Sequence, residues 1–313
     1  MNKTDKIFVA GHKGMVGSAL VRTLKNQGYS NLILRSSKEL DLTRQNDVEA
    51  FFEKEKPEFV FDAAARVGGI WANKTYRAEF IYNNLQIQNN VINSAFKYDV
   101  KKLMFFSSSC VYPRLSQQPM REEYLMTGVP EPTNEPYAVA KLAGMSMCRA
   151  YNEQYGTRYI SVIPTNLYGP NDNYDPLNSH VVAAMILNFH IAKIKRSSAV
   201  LLWGSGKPRR ELMYVDDAAE AAIHLIQCWE ENEPVNIGVG TDLSVRELAE
   251  IVKQTVGYNG AIEYDMSKPD GAPQKLLDIR RLCSTNWKAK VTLSEGVVKA
   301  YTWFVQSLCY KND

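Results

Sequence analysis

Nowhere in the chain does an apolar run reach the length of a membrane span, and no block of like charge appears. Lys and Arg number 37 against 34 Asp and Glu. A balance that even gives no support for nucleic acid or an anionic membrane as partner. Histidine is scarce, at four residues, and the five cysteines (Cys110, Cys148, Cys228, Cys283 and Cys309) are odd in number, widely spaced and free of C-x-x-C pairs. That usage fits reduced thiols in a cytoplasmic protein and indicates no metal site. The amino terminus enters a strand-like run without the longer apolar stretch of a signal peptide. Internal repeats and low-complexity segments are also missing.

What is present is a rhythm. The runs K-I-F-V-A-G, N-L-I-L-R-S, P-E-F-V-F-D-A-A-A, K-L-M-F-F-S-S-S and R-Y-I-S-V-I-P-T-N alternate with segments of helical period near 14–27, 45–56, 77–98 and 136–155. This reads as βαβ units forming a parallel sheet covered on both faces. After Asn166 the texture changes to an Asn-, Gly- and Pro-rich stretch, N-L-Y-G-P-N-D-N-Y-D-P, which marks passage into a second region. We therefore expect one domain over 1–166 and another, mainly over 167–313. Helices are expected near 181–194, 216–229, 244–256 and 295–306. One or two of the later strands, A-V-L-L-W-G and E-L-M-Y-V, and a helix near 211–230 are candidates to return to the first sheet.

The first strand runs into G-H-K-G-M-V-G, with Gly11, Gly14 and Gly17 three apart. Such spacing at a strand-to-helix turn brings backbone N–H groups and the helix dipole to a pyrophosphate. At the end of the second strand stand Arg35, Ser36, Ser37 and Lys38, with Lys13 in the glycine loop. Cations and hydroxyls suit a 2′-phosphate and favour NADPH; Glu39 and Asp41 lie near enough to serve NAD instead.

N-E-P-Y-A-V-A-K puts Tyr137 and Lys141 four apart, on one helix face. A cation there is expected to lower the phenol pKa, so that Tyr137 can exchange a proton as hydride moves at a carbonyl carbon. Ser107, Ser108 and Ser109 end the strand-like K-L-M-F-F run, where ligands of open α/β sheets bind. One of the three hydroxyls is expected to meet a substrate carbonyl.

In order, G-x-x-G-x-x-G, Ala63-Ala64-Ala65, S-S-S-C-V-Y-P and Y-x-x-x-K resemble the extended short-chain dehydrogenase/reductase superfamily. The segments A-A-R-V-G-G-I-W-A-N, P-T-N-L-Y-G-P-N-D-N, N-S-H-V, W-G-S-G-K-P-R-R-E and S-K-P-D-G-A-P-Q-K-L-L-D carry the likeness nearly end to end, to its GDP-L-fucose synthase family. The resemblance implies a Rossmann-type doubly wound parallel sheet with a smaller, mixed α/β carboxyl-terminal substrate domain, and a homodimer. It implies an NADPH-dependent enzyme that epimerises C3 and C5 of GDP-4-keto-6-deoxymannose and then reduces C4. Ser108, Tyr137 and Lys141 match the reductive residues, and Cys110 and His180 the pair that moves protons. Where related sugar-nucleotide dehydratases carry a glutamate base, this chain has Cys110, which argues against dehydration.

The resemblance extends the expected cofactor contacts to His12, Met15, Val16, Leu42, Ala63, Ala64, Ala65, Ser107, Pro164, Thr165, Asn166, Leu167 and His180. Expected substrate contacts are Ser108, Ser109, Cys110, Asn166, Val181, Asn188, Trp203, Arg210, Asp270 and Lys275. Asn188 departs from members that have arginine there. From the residues alone, Trp203 reads equally well as core, Arg210 as a surface ion pair with Glu211, and Cys110 as a small buried hydrophobe. Neighbouring Lys141, or the positively polarised surroundings of the cofactor, is expected to favour the Cys110 thiolate. Two other functions remain open at this point: a 4-reductase or 4-epimerase for another nucleotide sugar, and a non-catalytic dinucleotide-binding sensor.

Overall fold

The strand Ile7–Ala10 (β1) is buried along its whole length, and so are Phe59–Asp62 (β3), Lys102–Phe106 (β4) and Tyr159–Pro164 (β5). Continuous burial is the mark of a parallel sheet covered on both faces. Between these strands the computed structural model, which describes residues 1–176, 179–268 and 270–309, places α1 (Met15–Asn26), the short β2 (Leu32–Ile33), α2 (Gln45–Glu55), α3 (Ile70–Thr75), α4 (Arg77–Lys97) and α5 (Glu135–Tyr155). Asn178 of N-S-H-V and Pro269 of S-K-P-D-G lie outside the described residues.

Alternate side chains of each strand point to opposite faces. Ile7, Val9, Phe61 and Met104 pack on one side with Leu20 and Leu24 of α1; Phe8, Val60, Leu103 and Phe105 pack on the other with Phe52 of α2 and Val91 and Ile92 of α4. Each fully buried aliphatic or aromatic side chain of this kind contributes about 1.5–3 kcal/mol. Pro136 stands in the first turn of α5, and the helix stops at Gly156 with φ +67°.

The second region continues with β6 (Asn166–Tyr168), α6 (Val181–Lys195), β7 (Ala199–Trp203), β8 (Arg209–Arg210), β9 (Leu212–Tyr214), α7 (Val215–Cys228), β10 (Val235–Ile237), β11 (Leu243–Ser244), α8 (Val245–Val256), β12 (Ala261–Asp265), β13 (Gln274–Lys275), α9 (Arg280–Ser284) and α10 (Leu293–Cys309). Ser244 and Glu247 close a capping box at the start of α8. Leu248, Ala249 and Val252 of that helix join Ile186 and Phe189 of α6 and Val297 and Phe304 of α10 in a third core.

The main sheet has the order β2-β1-β3-β4-β5-β10, and every pair in it is parallel. The chain therefore reverses direction across the sheet between β1 and β3, the point at which open α/β sheets bind ligands beyond the strands' carboxyl ends. One expectation is corrected here. Neither A-V-L-L-W nor L-M-Y returns to this sheet: β7 pairs with β12, and β9 with β6. The returning strand is β10, while α7 packs against α1 on the sheet's face. A three-residue strand with a single buried run offers no periodicity to read, which is why V-N-I escaped notice.

Candidate functional site

Gly11 adopts φ +76°, and the Gly14 N–H donates to its carbonyl at 2.9 Å. A Cβ on Gly17 would lie 2.1 Å from that same carbonyl oxygen, and one on Gly11 2.8 Å from Ala63 O. Backbone cannot step aside, so the loop, the first turn of α1 and the end of β3 close on one another only through glycine. Helix α1 has no side-chain cap and no acidic residue in its first turn, which leaves its positive end for an anion. The cradle fits a dinucleotide pyrophosphate. Met15 and Val16 are half-buried against the core; the His12 Nδ1 is buried without a partner, and burial and neighbouring Lys13 lower its pKa.

Around the end of β2, Lys13, Ser37 and Lys38 are exposed. Arg35 is half-buried and already engaged: it pairs with Glu55 at 2.7 Å and lies over Phe51. The Ser36 N–H and hydroxyl both donate to Glu39, which holds that carboxyl below its usual range, and Thr43 does the same for Asp41. Leu42 accepts from the Asn90 amide through its carbonyl. Ala63, Ala64 and Ala65 are half-buried where β3 ends.

At the end of β4, Ser107 is buried and its hydroxyl lacks a partner. Ser108 accepts the Cys110 N–H at 3.3 Å, an N-cap that turns the chain so that Cys110 is half-buried rather than enclosed. Ser109 is buried. The Tyr137 ring meets Phe80 edge-on, and its phenol faces both Ser108 and Cys110. Burial is the main cause raising the Tyr137 pKa; the Cys110 charge adds to it and Ser108 opposes it. This corrects the expectation that Lys141 governs the phenol. The Lys141 ammonium, 2 % exposed, lies 4.6 Å over the Phe105 ring; burial lowers its pKa to about 8 against the pull of Asp62.

A second correction concerns the thiol. The cation beside Cys110 is Lys275, whose Nζ is 3.8 Å from Sγ across 165 residues of sequence. Lys275 is paired in register with Arg210, because β13 runs parallel to β8. A Cβ on Gly271 would lie 3.5 Å from the Arg210 guanidinium, and its neighbour Asp270 takes the Ser205 N–H at 2.6 Å and the Ser205 hydroxyl at 2.8 Å. Gly204 approaches Asp270 so closely that a Cβ would fall 2.4 Å from its Oδ1. Trp203 comes next, 71 % exposed, with Lys268 over its ring. Thus Cys110, Lys275, Arg210, Asp270 and Trp203 form one tract.

Neither bland reading of that rim holds. Trp203 is not core, and Glu211 is no surface partner for Arg210. Glu211 is fully buried and accepts the N–H groups of Val239, Gly240 and Leu277 at 2.7–2.9 Å. Its carbonyl takes the Thr165 hydroxyl and the Asn166 amide, fixing the turn after Pro164 over buried Leu167.

His180 occupies the N-cap position of α6 without a side-chain cap, and its exposed ring stands 3.6 Å from Asp172, whose interaction raises the imidazole pKa. Among the described residues no hydrogen bond or ion pair joins it to Cys110. Asn171, in the same loop, donates to Ser18 of α1 at 2.7 Å. Val181 is half-buried and Asn188 exposed on α6.

Sequence reasoning overlooked Asp62, Glu211 and Ser205. For Asp62 there was a signal: a carboxylate within the apolar run F-V-F-D. No helix among the described residues is long and apolar enough to cross a membrane.

Residues 7–238 match the model of the NAD dependent epimerase/dehydratase family. GDP-L-fucose synthase 1 of Arabidopsis thaliana is 53 % identical over 308 residues, covering 98 % of this chain and 95 % of its own. GDP-L-fucose synthase of Escherichia coli K12 is 48 % identical over 312 residues, 97 % of each. Among solved structures, MlghC, a GDP-mannoheptose C4 reductase from Campylobacter jejuni with NADP bound, superposes with a TM-score of 0.91 at 40 % identity, over 97 % of this chain and 99 % of that one. The family description and the NADP bound to MlghC indicate a nicotinamide dinucleotide as the cofactor class.

Proposed function

We propose a function from one premise: the chain belongs to the NAD dependent epimerase/dehydratase family and, within it, to the GDP-L-fucose synthase family. The reading is that it converts GDP-4-keto-6-deoxymannose to GDP-L-fucose by epimerisation at C3 and C5 and reduction at C4. The observation that carries it is the Cys110–Lys275 contact at the head of a tract that ends at Trp203. A cation beside the sulfur stabilises the thiolate, the form that can act as a base.

The C4 carbonyl acidifies the neighbouring C–H bonds, since loss of either proton gives an enolate. Cys110 takes the proton from one face, and His180, kept basic by Asp172, returns one to the other. Ser108 and the Tyr137 phenol hold the enolate oxygen. Because burial keeps the phenol protonated, Tyr137 is then the acid that protonates the C4 oxygen. Bound nicotinamide supplies the hydride for that step. The glycine loop, α1 and Lys141 would hold the dinucleotide; exposed Lys13, Ser37 and Lys38 favour the 2′-phosphate of NADPH. Arg210 would pair with the diphosphate and Trp203 cover the nucleotide sugar, while Asp270 orders their loop through Ser205.

In this reading residues 1–166 mainly bind cofactor and 167–313 substrate, in a cytoplasmic homodimer. The exposed Tyr82, Val139 and Tyr155 on α4 and α5 support a dimer through those helices. A second reading, a simple 4-reductase, is favoured by the likeness to MlghC. Incubation with GDP-4-keto-6-deoxymannose and NADPH in D₂O separates the two. Deuterium at both C3 and C5 of a fucose-configured product is the expected result; NADPH oxidation without exchange would leave only the 4-reductase.

A further inference from the structure

Asp62 closes β3 with no exposed surface, and neither carboxylate oxygen finds a partner of full hydrogen-bond geometry. An unpaired carboxylate in a sheet interior is costly, and such groups persist where something offsets them. The sheet register sets Ala10, Asp62, Phe105 and Ser161 in one row across β1, β3, β4 and β5. Helix α5 lies over this row. A Cβ on its Gly144 would fall 2.4 Å from the Phe105 ring, and its Lys141 ammonium rests over that same ring. The other groups facing this layer are few: the Cys148 thiol of α5, the Tyr159 phenol of β5 and, from α4, the neutral amide of Gln88, which donates to Ala140 O at 2.7 Å. Lys141 is therefore the one cation in the layer, and Asp62 the one carboxylate, among the described residues.

We propose that Asp62 is a positioning residue that keeps Lys141 in its ammonium form inside a layer otherwise too dry to hold a cation. This rests on the reading above, in which Lys141 binds cofactor beside Tyr137. The carboxylate stands in the same row as Phe105, the ring on which the ammonium rests, and with no exposed surface it acts on that charge through the interior rather than through water. The electrostatics agree with the geometry. Burial drives the Asp62 pKa up to about 6, and the Lys141 charge and the Ala64 N–H pull it back; Asp62 in turn is the largest influence raising Lys141 against burial. Near neutral pH both groups are then predominantly charged, each the other's counter-ion.

Two measurements test the pair. A double-mutant cycle on urea midpoints at neutral pH uses Asp62→Asn, Lys141→Met and the double variant, and needs no substrate. Asp62→Asn should destabilise the parent protein yet stabilise the Lys141→Met protein, because in the latter the carboxylate is buried without a counter-ion. Additive effects would overturn the proposal. Should Asp62→Asn fail to accumulate, Asp62→Ala serves the same cycle. The second measurement is the pH profile of NADPH-dependent reduction. Asp62→Asn should move the basic limb down by about one pH unit, and Asp62→Glu should restore most of it. A purely structural role would lower the rate at every pH and leave the limb in place. If the parent protein shows no turnover, the functional reading fails, while the cycle still decides whether Asp62 and Lys141 are coupled.

Discussion

Around the six-stranded sheet the glycine loop and the serine–cysteine cluster hang from the ends of buried parallel strands, whereas in the second region Arg210 and Lys275 sit on two-residue strands and Asp270 in a loop. Ser107 to Cys110 follow β4 directly, and the glycine loop follows β1. Their positions are set by a core in which Ile7, Val60, Leu103 and Phe105 have no exposed surface. Arg210 and Lys275 instead belong to a three-stranded sheet whose strands β11, β8 and β13 are each two residues long. So few ladder hydrogen bonds cannot fix a rim. Buried Glu211 does so, through three backbone N–H groups drawn from two separate segments, and Asp270 does so through Ser205. The lesson is that the deep side is held by packing and the rim by polar anchors, so damage to the two sides should look different.

The sharpest contrast is expected at the deep side. Tyr137→Phe removes the acid for C4 and should slow NADPH oxidation by about 10²–10⁴-fold while leaving thermal melting unchanged; a melt and a stopped assay on one preparation check both. Next comes Cys110→Ser, which should reduce deuterium uptake at C3 and C5 by at least about a hundredfold and spare reduction of an already epimerised 4-keto sugar. Lys275→Met should act in the same direction and more weakly. Equal loss of exchange and reduction in either variant would mean that the tract is structural.

At the rim, Trp203→Ala and Arg210→Ala should raise KM by roughly 10- to 100-fold with little change in kcat, since they bind substrate and transition state alike. A fall in kcat of the same size would erase the distinction between the two sides. The smallest effect is expected at the seam. Asp172→Asn removes the interaction that raises the His180 pKa, so the imidazole should titrate lower than in the parent protein, as followed by proton NMR. The sign for stability follows: the Asp172–His180 contact contributes fully below the unfolded histidine pKa and is lost as pH rises through the raised folded one. The His180 side chain is 49 % exposed, so that contribution is screened.

Much of the deep side was legible in the chain. Period and spacing located α1, α2, α4 and α5 within a few residues of where they stand, and G-H-K-G-M-V-G named its cradle because a glycine requirement is a local steric fact. Tyr137 and Lys141 share a helix, and that too is local. Their electrostatics were not legible: the expected influence of Lys141 on the phenol gives way to burial, and its partner is Asp62, 79 positions earlier in the chain. At the rim, Trp203, Arg210 and Asp270 could be named by resemblance, yet nothing in their neighbours told an exposed indole from a core one.

The sequence by itself determined the alternation of strand and helix, the glycine turn and the hydroxyl cluster, because each depends on contacts within a few residues, where period and sterics act. Only the tertiary structure decided that β10 closes the sheet, that Lys275 meets Cys110 and that the Asp62 charge acts on buried Lys141. Those pairings join residues scores of positions apart, and charge interactions in a dry interior depend on distances and burial that exist only once the chain is folded.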